Sequence, residues 1–426
     1  MTVAGRSQRY GVEDMVTMGE RGVGIASEIG NLRRVICHSP GPELTVVTPD
    51  NRQDYLFDDI LDLERARREH GRFVTLLERF AEVHEVSDLL VDVLAEPEAR
   101  EELLQGSDDA FRERAREARP EELARLFIEG EESHGGALAG LVNEAGYSLP
   151  PLPNLFFTRD AAQVIGDGVA ISAMRHEVRW TEELIMRTLF RHHPALQNRG
   201  LLYDGTRERR MNTSIEGGDV HVLREDLVLV GLSERTSAAG IDALAERLLA
   251  MTPVSNLLVV ILPPHRTSIH LDMIFTMLDR EQCCVFPPYF LGPTRLPVLH
   301  VGVADRETRE REDLFEALAD LGMPLTPIPC GGDRRTMQER EQWGSGCNLF
   351  AVGPGRLLAY DRNEHTLEAL EREGGFRIIR SVDFLTGDEW VEDDERFVIA
   401  FEGTELVRGG GGPRCMTMPV LRDPVA

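Results

Sequence analysis

Lysine is missing from this chain, and all 47 of its basic residues are arginine. The absence excludes Schiff-base catalysis by a lysine amine, a pyridoxal-phosphate anchor and the lysine of a phosphate-binding loop. Cysteine is scarce, with six in 426 residues: Cys37, Cys283, Cys284, Cys330, Cys347 and Cys415. Their spacing fits neither a disulfide framework nor a zinc knuckle, so a reducing compartment, the cytoplasm, is expected. No window is apolar over the length of a membrane span. Met1–Met15, which carries Arg9, Glu13 and Asp14, lacks the apolar run of a secretory leader. Positive charge is in deficit: the net charge of −26 argues against nucleic acid or an anionic membrane as partner. A cationic small molecule remains open, beside the plainer reading of an acidic, solubilising surface.

With 42% hydrophobic residues, the chain can build one large or two smaller domains around a sizeable core. Near its end, Gly409–Gly412 runs into Pro413-Arg414-Cys415 and then an alternating apolar segment, Met416–Leu421, that reads as a strand. A thiol on such a loop is a candidate nucleophile. Only the thiolate attacks, so positive charge must lower its pKa, supplied by Arg414 or by a cationic substrate. The alternative is a flexible linker beside an inert cysteine, but linkers do not usually enter a strand directly.

Leu32–His38 reads as a first strand, and a helical pattern follows through Leu63, Phe73, Leu76, Leu77 and Phe80. A strand is expected over Glu82–Leu90. From about Asp92 to Gly136 the composition turns to Glu, Arg, Ala and Leu, with short amphipathic helices over Pro97–Leu104, Asp108–Ala118 and Pro120–Ile128 and no strand signal. After Pro150 a unit recurs: hairpin, arginine, helix, strand. The hairpins are Gln163–Ser172, Val220–Val230 and Leu349–Tyr360, and the helices lie at Glu182–Phe190, Ile241–Leu249 and Glu364–Arg372. The marker residues Arg175, Arg235 and Arg362 are separated by 60 and 127 positions, which leaves room for a further unit within Ile274–Gly322. With the amino-terminal unit this predicts an α/β protein of about five ββαβ repeats, a closed ring or propeller with reactive groups gathered at its centre. Residues 1–90 and 149–426 form the catalytic domain in this reading, and 91–148 a helical insertion.

Four further clusters carry polar groups. Leu56-Phe57-Asp58-Asp59-Ile60 holds two acids that could bind a cation or begin a helix. Arg159-Asp160, after Pro153-Asn154, is either a local ion pair or a functional one. Glu216-Gly217-Gly218-Asp219 could be no more than a tight turn. His270-Leu271-Asp272 would put its two polar residues on one side of an extended segment, suited to acid–base chemistry. A thiol, a histidine and at least three carboxylates without metal-ligand spacing suit a cationic substrate. A guanidinium is planar, permanently charged and matched to bidentate carboxylates.

In these motifs, with Phe157-Thr158-Arg159-Asp160, Ser233-Glu234-Arg235-Thr236 and Gly412-Pro413-Arg414-Cys415-Met416, the chain resembles the arginine deiminases of the guanidino-group-modifying superfamily. The resemblance implies a five-bladed α/β propeller with a helical insertion, and hydrolysis of L-arginine to L-citrulline and ammonia without metal or other cofactor. It implies that Cys415 attacks the guanidinium carbon to form a covalent thiouronium, that Asp160 and Asp272 hold the guanidinium nitrogens, and that His270 protonates ammonia and then activates water. Glu216 would orient His270, Asn154, Arg179 and Arg235 would grip the α-carboxylate, and Phe57 would line the pocket. The expected partners are that small cationic substrate and further copies of the chain in a homo-oligomer, with no nucleic acid or membrane. The chain departs from the family at Met273, Ala161-Ala162, Gly410 and the loop Gly344–Asn348. A related hydrolase or amidinotransferase acting on another guanidine would keep the same reactive groups.

Overall fold

The computed structural model describes residues 22–107, 109–133, 146–209, 213–302, 307–392 and 394–425. Met1–Met15 and Asp108, read above from sequence, lie outside them. The protein is a mixed α/β fold with five main sheets, three of them built the same way. In the second sheet Ala162–Ile165 pairs antiparallel with Gly168–Ile171, the helix Trp180–His192 crosses over, and Leu201–Asp204 returns parallel. The third repeats this with Val220–Arg224, Leu227–Leu232, the helix Ala238–Met251 and Asn256–Ile261, and gains a hairpin, Val298–Gly302 with Thr308–Arg311. The fourth, Phe275–Met277, Gln282–Val285 and Thr326–Pro329, begins in the interval expected for a further unit but ends beyond Gly322, because Val298–Gly302 and Thr308–Arg311 inside it belong to the third sheet. In the fifth, Phe350–Gly353 and Arg356–Tyr360 are followed by the helix Glu364–Arg372, and Phe397–Phe401 lies between Arg356–Tyr360 and Arg377–Arg380.

The first sheet is assembled from both ends of the chain. Leu32–Cys37 pairs parallel with Glu82–Glu85 after the helix Leu63–Leu77, and antiparallel with Met418–Arg422. That helix starts where the Asp62 carboxylate accepts the Arg65 N–H at 2.9 Å, and it buries Ala66, Phe73, Leu76 and Leu77 at helical spacing. Strands such as Leu227–Leu232 are apolar almost throughout because helices and neighbouring sheets leave neither face to water.

Two expectations need correction. The strand expected over Glu82–Leu90 ends at Glu85, and Val86–Leu94 is a helix. Its buried residues, Val86, Leu89, Leu90, Val93 and Leu94, fall at i, i+3, i+4, i+7 and i+8, the period of a helix rather than of a strand. The region read as purely helical contains Pro97–Leu104, Asp109–Ala115 and Pro120–Glu129, but also a two-stranded ribbon of Glu131–Ser133 with Gly146–Leu149. Its apolar side chains, including Leu103, Leu123 and Phe127, join one core with Ile185 and Leu189 of the second unit. Among the described residues no helix is long and apolar enough to cross a membrane, and all six cysteines are free and buried.

Candidate active site

Each sheet offers polar side chains from the few residues preceding one of its strands, the last in the first sheet and the first in the others: Cys415 before Met418, Asp160 before Ala162, Glu216 before Val220, His270 and Asp272 before Phe275, and Asn348 before Phe350. These residues, at most 5% exposed, come together around one narrow cleft or directly behind its wall. Cys415, His270, Asp160, Asn154, Arg179 and Arg235 line the cleft. Phe57 does not. It packs in the core at 1% exposure, and the apolar wall is built from Leu56, Phe157, Ile269 and Met273.

His270 Nε2 lies 2.7 Å from Glu216 Oε2, and its Nδ1 lies 3.7 Å from Asp160 Oδ1. Burial alone would lower the pKa of the imidazolium, but Asp160, Glu216 and Asp219 outweigh it and raise the value to about 9. Burial works against Glu216 as a carboxylate too, yet Arg235 and His270 hold its pKa far below the usual range. The pair is therefore an imidazolium on a carboxylate at neutral pH. Gly218 permits the approach, since a Cβ there would stand 2.6 Å from His270 Nδ1. The Gly-Gly pair thus does more than turn the chain. His270 and Asp272 do not share the face of a strand, because Leu271–Met273 is a turn of 3-10 helix entered from His270.

Cys415 Sγ lies 3.6 Å from Asp272 Oδ2. Burial, Asp272 and Asp160 push its thiol well above the ordinary value. Arg414 lowers it but does not outweigh them, since its Nη1 donates to Asp272 Oδ2 at 2.9 Å and its Nε to Glu28 Oε2 at 3.1 Å. Of the two sources of positive charge the sequence offered, the substrate remains. Asp160 does not pair with Arg159, whose Nε donates to the Arg414 carbonyl; Arg179 donates from Nη1 to Asp160 Oδ2 at 2.7 Å. Arg179 also donates to Glu182 and to the carbonyls of Asn154 and Phe157, whereas Arg235 keeps an Nε that makes no hydrogen bond.

Among the described residues, Asp160, Glu216 and His270 are the one group whose donor atoms, within 4.8 Å of one another, could hold a metal ion. Glu216 and His270 are bonded to each other, and Arg179 and Arg235 already balance the acids, so the geometry is better suited to moving protons. The inner cleft leaves about 30 Å³ of free space and opens into an outer one of about 250 Å³. Asp58 and Asp59, which do not open a helix here, pair at this mouth with Arg266 and Arg408 at 2.9 Å each.

Comparison with known proteins agrees with this arrangement. The family model described as arginine deiminase matches residues 53–143 and 124–422. Arginine deiminase of Listeria innocua is 34% identical over 95% of this chain and 99% of its own length. That of Bacillus cytotoxicus is 35% identical over 94% and 98%.

The chain belongs to the arginine deiminase family.

Solved structures at lower identity share its fold. The N-terminal domain of a cyanobacterial arginine dihydrolase, bound to its substrate, aligns over 92% of this chain and 99% of that one, with TM-score 0.52 and 16% identity. An amidinotransferase of saxitoxin biosynthesis from Microseira wollei aligns over 95% and 98%, with TM-score 0.53 and 15% identity. Reading the sequence missed several residues that this arginine deiminase family member brings to the site. Asp219 accepts from Ser233 Oγ at 2.6 Å and from the Leu271 N–H at 2.9 Å, bracing the His270 turn, and burial raises its pKa to about 7. The acid was visible in its motif, but nothing in the sequence pointed to Ser233 as its partner. Asn348 stood in a loop noted only as a variant.

Proposed function

We propose that this protein is an arginine deiminase: it hydrolyses L-arginine to L-citrulline and ammonia through a covalent intermediate on Cys415. One observation carries the reading. Asp160 Oδ1 and Asp272 Oδ1 are buried carboxylate oxygens without a hydrogen-bond partner, both belonging to residues that raise the pKa of the Cys415 thiol. A guanidinium satisfies both oxygens through its N–H groups, and its charge cancels the field that keeps the thiol protonated. Membership in the arginine deiminase family supports the same substrate.

In this mechanism the Cys415 thiol releases its proton to solvent as the guanidinium binds, and the thiolate adds to the guanidinium carbon. His270, charged at neutral pH, gives its proton to the departing nitrogen, and ammonia leaves the thiouronium. The imidazole then takes a proton from water as its oxygen adds to the same carbon, and the C–S bond breaks to return the thiolate and release the ureido product. One water is consumed, and one ammonium is released from one arginine cation. Glu216 holds His270 in place, Asp160 and Asp272 hold the guanidinium, and Arg235 with Asn154 receives the α-carboxylate.

The same reading arranges the five sheets as the blades of a propeller, supported by the shared strand order and by the pairing of Met418–Arg422 with Leu32–Cys37. It takes residues 91–148 as an insertion, places the enzyme in the cytoplasm as its free cysteines suit, and expects a homo-oligomer. The test is a metal-free assay of citrulline and ammonia from L-arginine, with Cys415→Ala as control. One ammonia per citrulline, lost in the control, is expected. A folded protein that forms no citrulline from L-arginine would overturn the assignment, and agmatine and methylated arginines would be tried next.

A further inference from the structure

Four of the five sheets supply groups already given roles, each from the residues just ahead of one of its strands. The fifth supplies Asn348, two residues ahead of Phe350–Gly353 and fully buried. Its Nδ2 lies 3.1 Å from Cys415 Sγ. The orientation of the amide follows from its other bonds: Oδ1 accepts the N–H groups of Arg414 at 3.0 Å and Cys415 at 3.1 Å, so the NH₂ end must face the sulfur. Its second hydrogen goes to the Asp272 carbonyl at 3.2 Å. Each donor and acceptor of this side chain is occupied, and one of its partners is the reacting atom.

The surroundings hold it there. Gly412 leaves room for it, since a Cβ at that position would stand 2.7 Å from Asn348 Oδ1. Ser345, whose carbonyl accepts the Asn348 N–H at 3.0 Å, has φ of 60°, a left-handed conformation rare for a residue with a side chain. The Gly344–Asn348 loop accepts this strain while delivering one amide to the thiol.

We propose that Asn348 is a further catalytic residue of this site, donating a hydrogen bond to the Cys415 sulfur as it becomes a thiolate and again as the C–S bond breaks. This rests on the reading of Cys415 as nucleophile. Both neighbouring carboxylates oppose the anion and Arg414 is committed elsewhere, so Asn348 supplies a neutral donor that stabilises the anion without competing for the substrate's charge. Because it contacts sulfur and does not line the cleft, it should affect the chemical step and leave substrate binding nearly unchanged.

Asn348→Asp separates this role from a structural one: it keeps an acceptor for the two backbone N–H groups but turns the donor facing sulfur into a second acceptor. The expected result at neutral pH is a loss of about a hundredfold in kcat with KM within about threefold. Alkylation of Cys415 by iodoacetamide, followed from pH 7 to 10, should slow by about tenfold at each pH below the thiol's pKa. A folded variant with both rates within about twofold of wild type would overturn the proposal, as would a fall in kcat with the alkylation profile unmoved. If the variant does not fold, the wild-type chain labelled with 15N-asparagine serves instead. One side-chain amide should titrate with the thiol and lose that titration in Cys415→Ala; no such resonance would count against the idea. The alkylation and NMR measurements need no turnover, so they stand even if L-arginine proves to be the wrong substrate.

Discussion

Arg414 precedes Cys415 in the chain, yet its guanidinium is bound to Asp272, Nη1 to Oδ2 at 2.9 Å, and its charge does not outweigh the burial and carboxylates that raise the thiol's pKa. The cation that sequence would assign to activation is used to keep a buried carboxylate in place. Breaking such a pair from one side leaves an uncompensated buried charge, so Arg414→Met should destabilise the fold by roughly 3–5 kcal/mol. Urea unfolding would read this, and a midpoint unchanged from wild type would refute it.

The free enzyme should keep Cys415 protonated at neutral pH. Burial, Asp272 and Asp160 all raise its pKa, so alkylation should be slow at pH 7 and climb only in the alkaline range. A thiol that reacts fully at pH 7 without substrate would mean that the protein itself supplies the missing positive charge.

Replacing Cys415 with serine should abolish turnover by roughly four orders of magnitude or more while leaving the melting temperature unchanged, because an alkoxide is much harder to form. Substantial citrulline formation by Cys415→Ser would move the nucleophile elsewhere.

Stability should fall as pH rises from about 6.5 to 9.5. His270 and His38 both have folded-state values raised to about 9: burial opposes each charge, and Asp160 and Glu216, or Glu43 and Glu85, outweigh it. A raised value means the native state holds the proton more tightly than the unfolded chain, so the contribution is complete below about 6.5 and lost through about 9. Each histidine contributes on the order of 3 kcal/mol. Denaturation midpoints at the two pH values check this, and equal midpoints would contradict it; His38→Gln should flatten part of the slope.

Arg235→Ala should lower kcat/KM for L-arginine by about a hundredfold and affect agmatine, which lacks the carboxylate, far less. Equal losses on the two substrates would assign Arg235 to the support of Glu216, 3.6 Å away, instead of to substrate recognition.

Repeats and motifs were legible where composition and period agree. The helix Glu364–Arg372 begins and ends where its pattern does, and the spacing of Arg175, Arg235 and Arg362 left room for the fourth sheet, although its last strand, Thr326–Pro329, lies beyond the stretch expected. Cys415, His270, Asp160 and Arg235 could be named because each sits in a distinctive motif. Errors arose where one short stretch serves two periods, as at Val86–Leu94, or where tertiary contacts bend a segment that looks extended, as at His270–Asp272. Phe57 could not be told from Leu56 by pattern. At φ of 67° Leu56 stands in a turn that puts it on the cleft wall and its neighbour in the core. Asn348 left no trace, since a single amide in a glycine-rich loop acquires meaning only from the four atoms it touches.

The strand Met418–Arg422 completes the first sheet, and Cys415, the nucleophile proposed above, lies three residues before it. During synthesis the thiol therefore emerges after every acid, base and arginine it must meet. A chain still on the ribosome, with Cys415 not yet made, has the proposed binding groups without the proposed nucleophile. Reactivity and the last edge of the first sheet arrive together, so an unfinished enzyme cannot carry out half of its reaction.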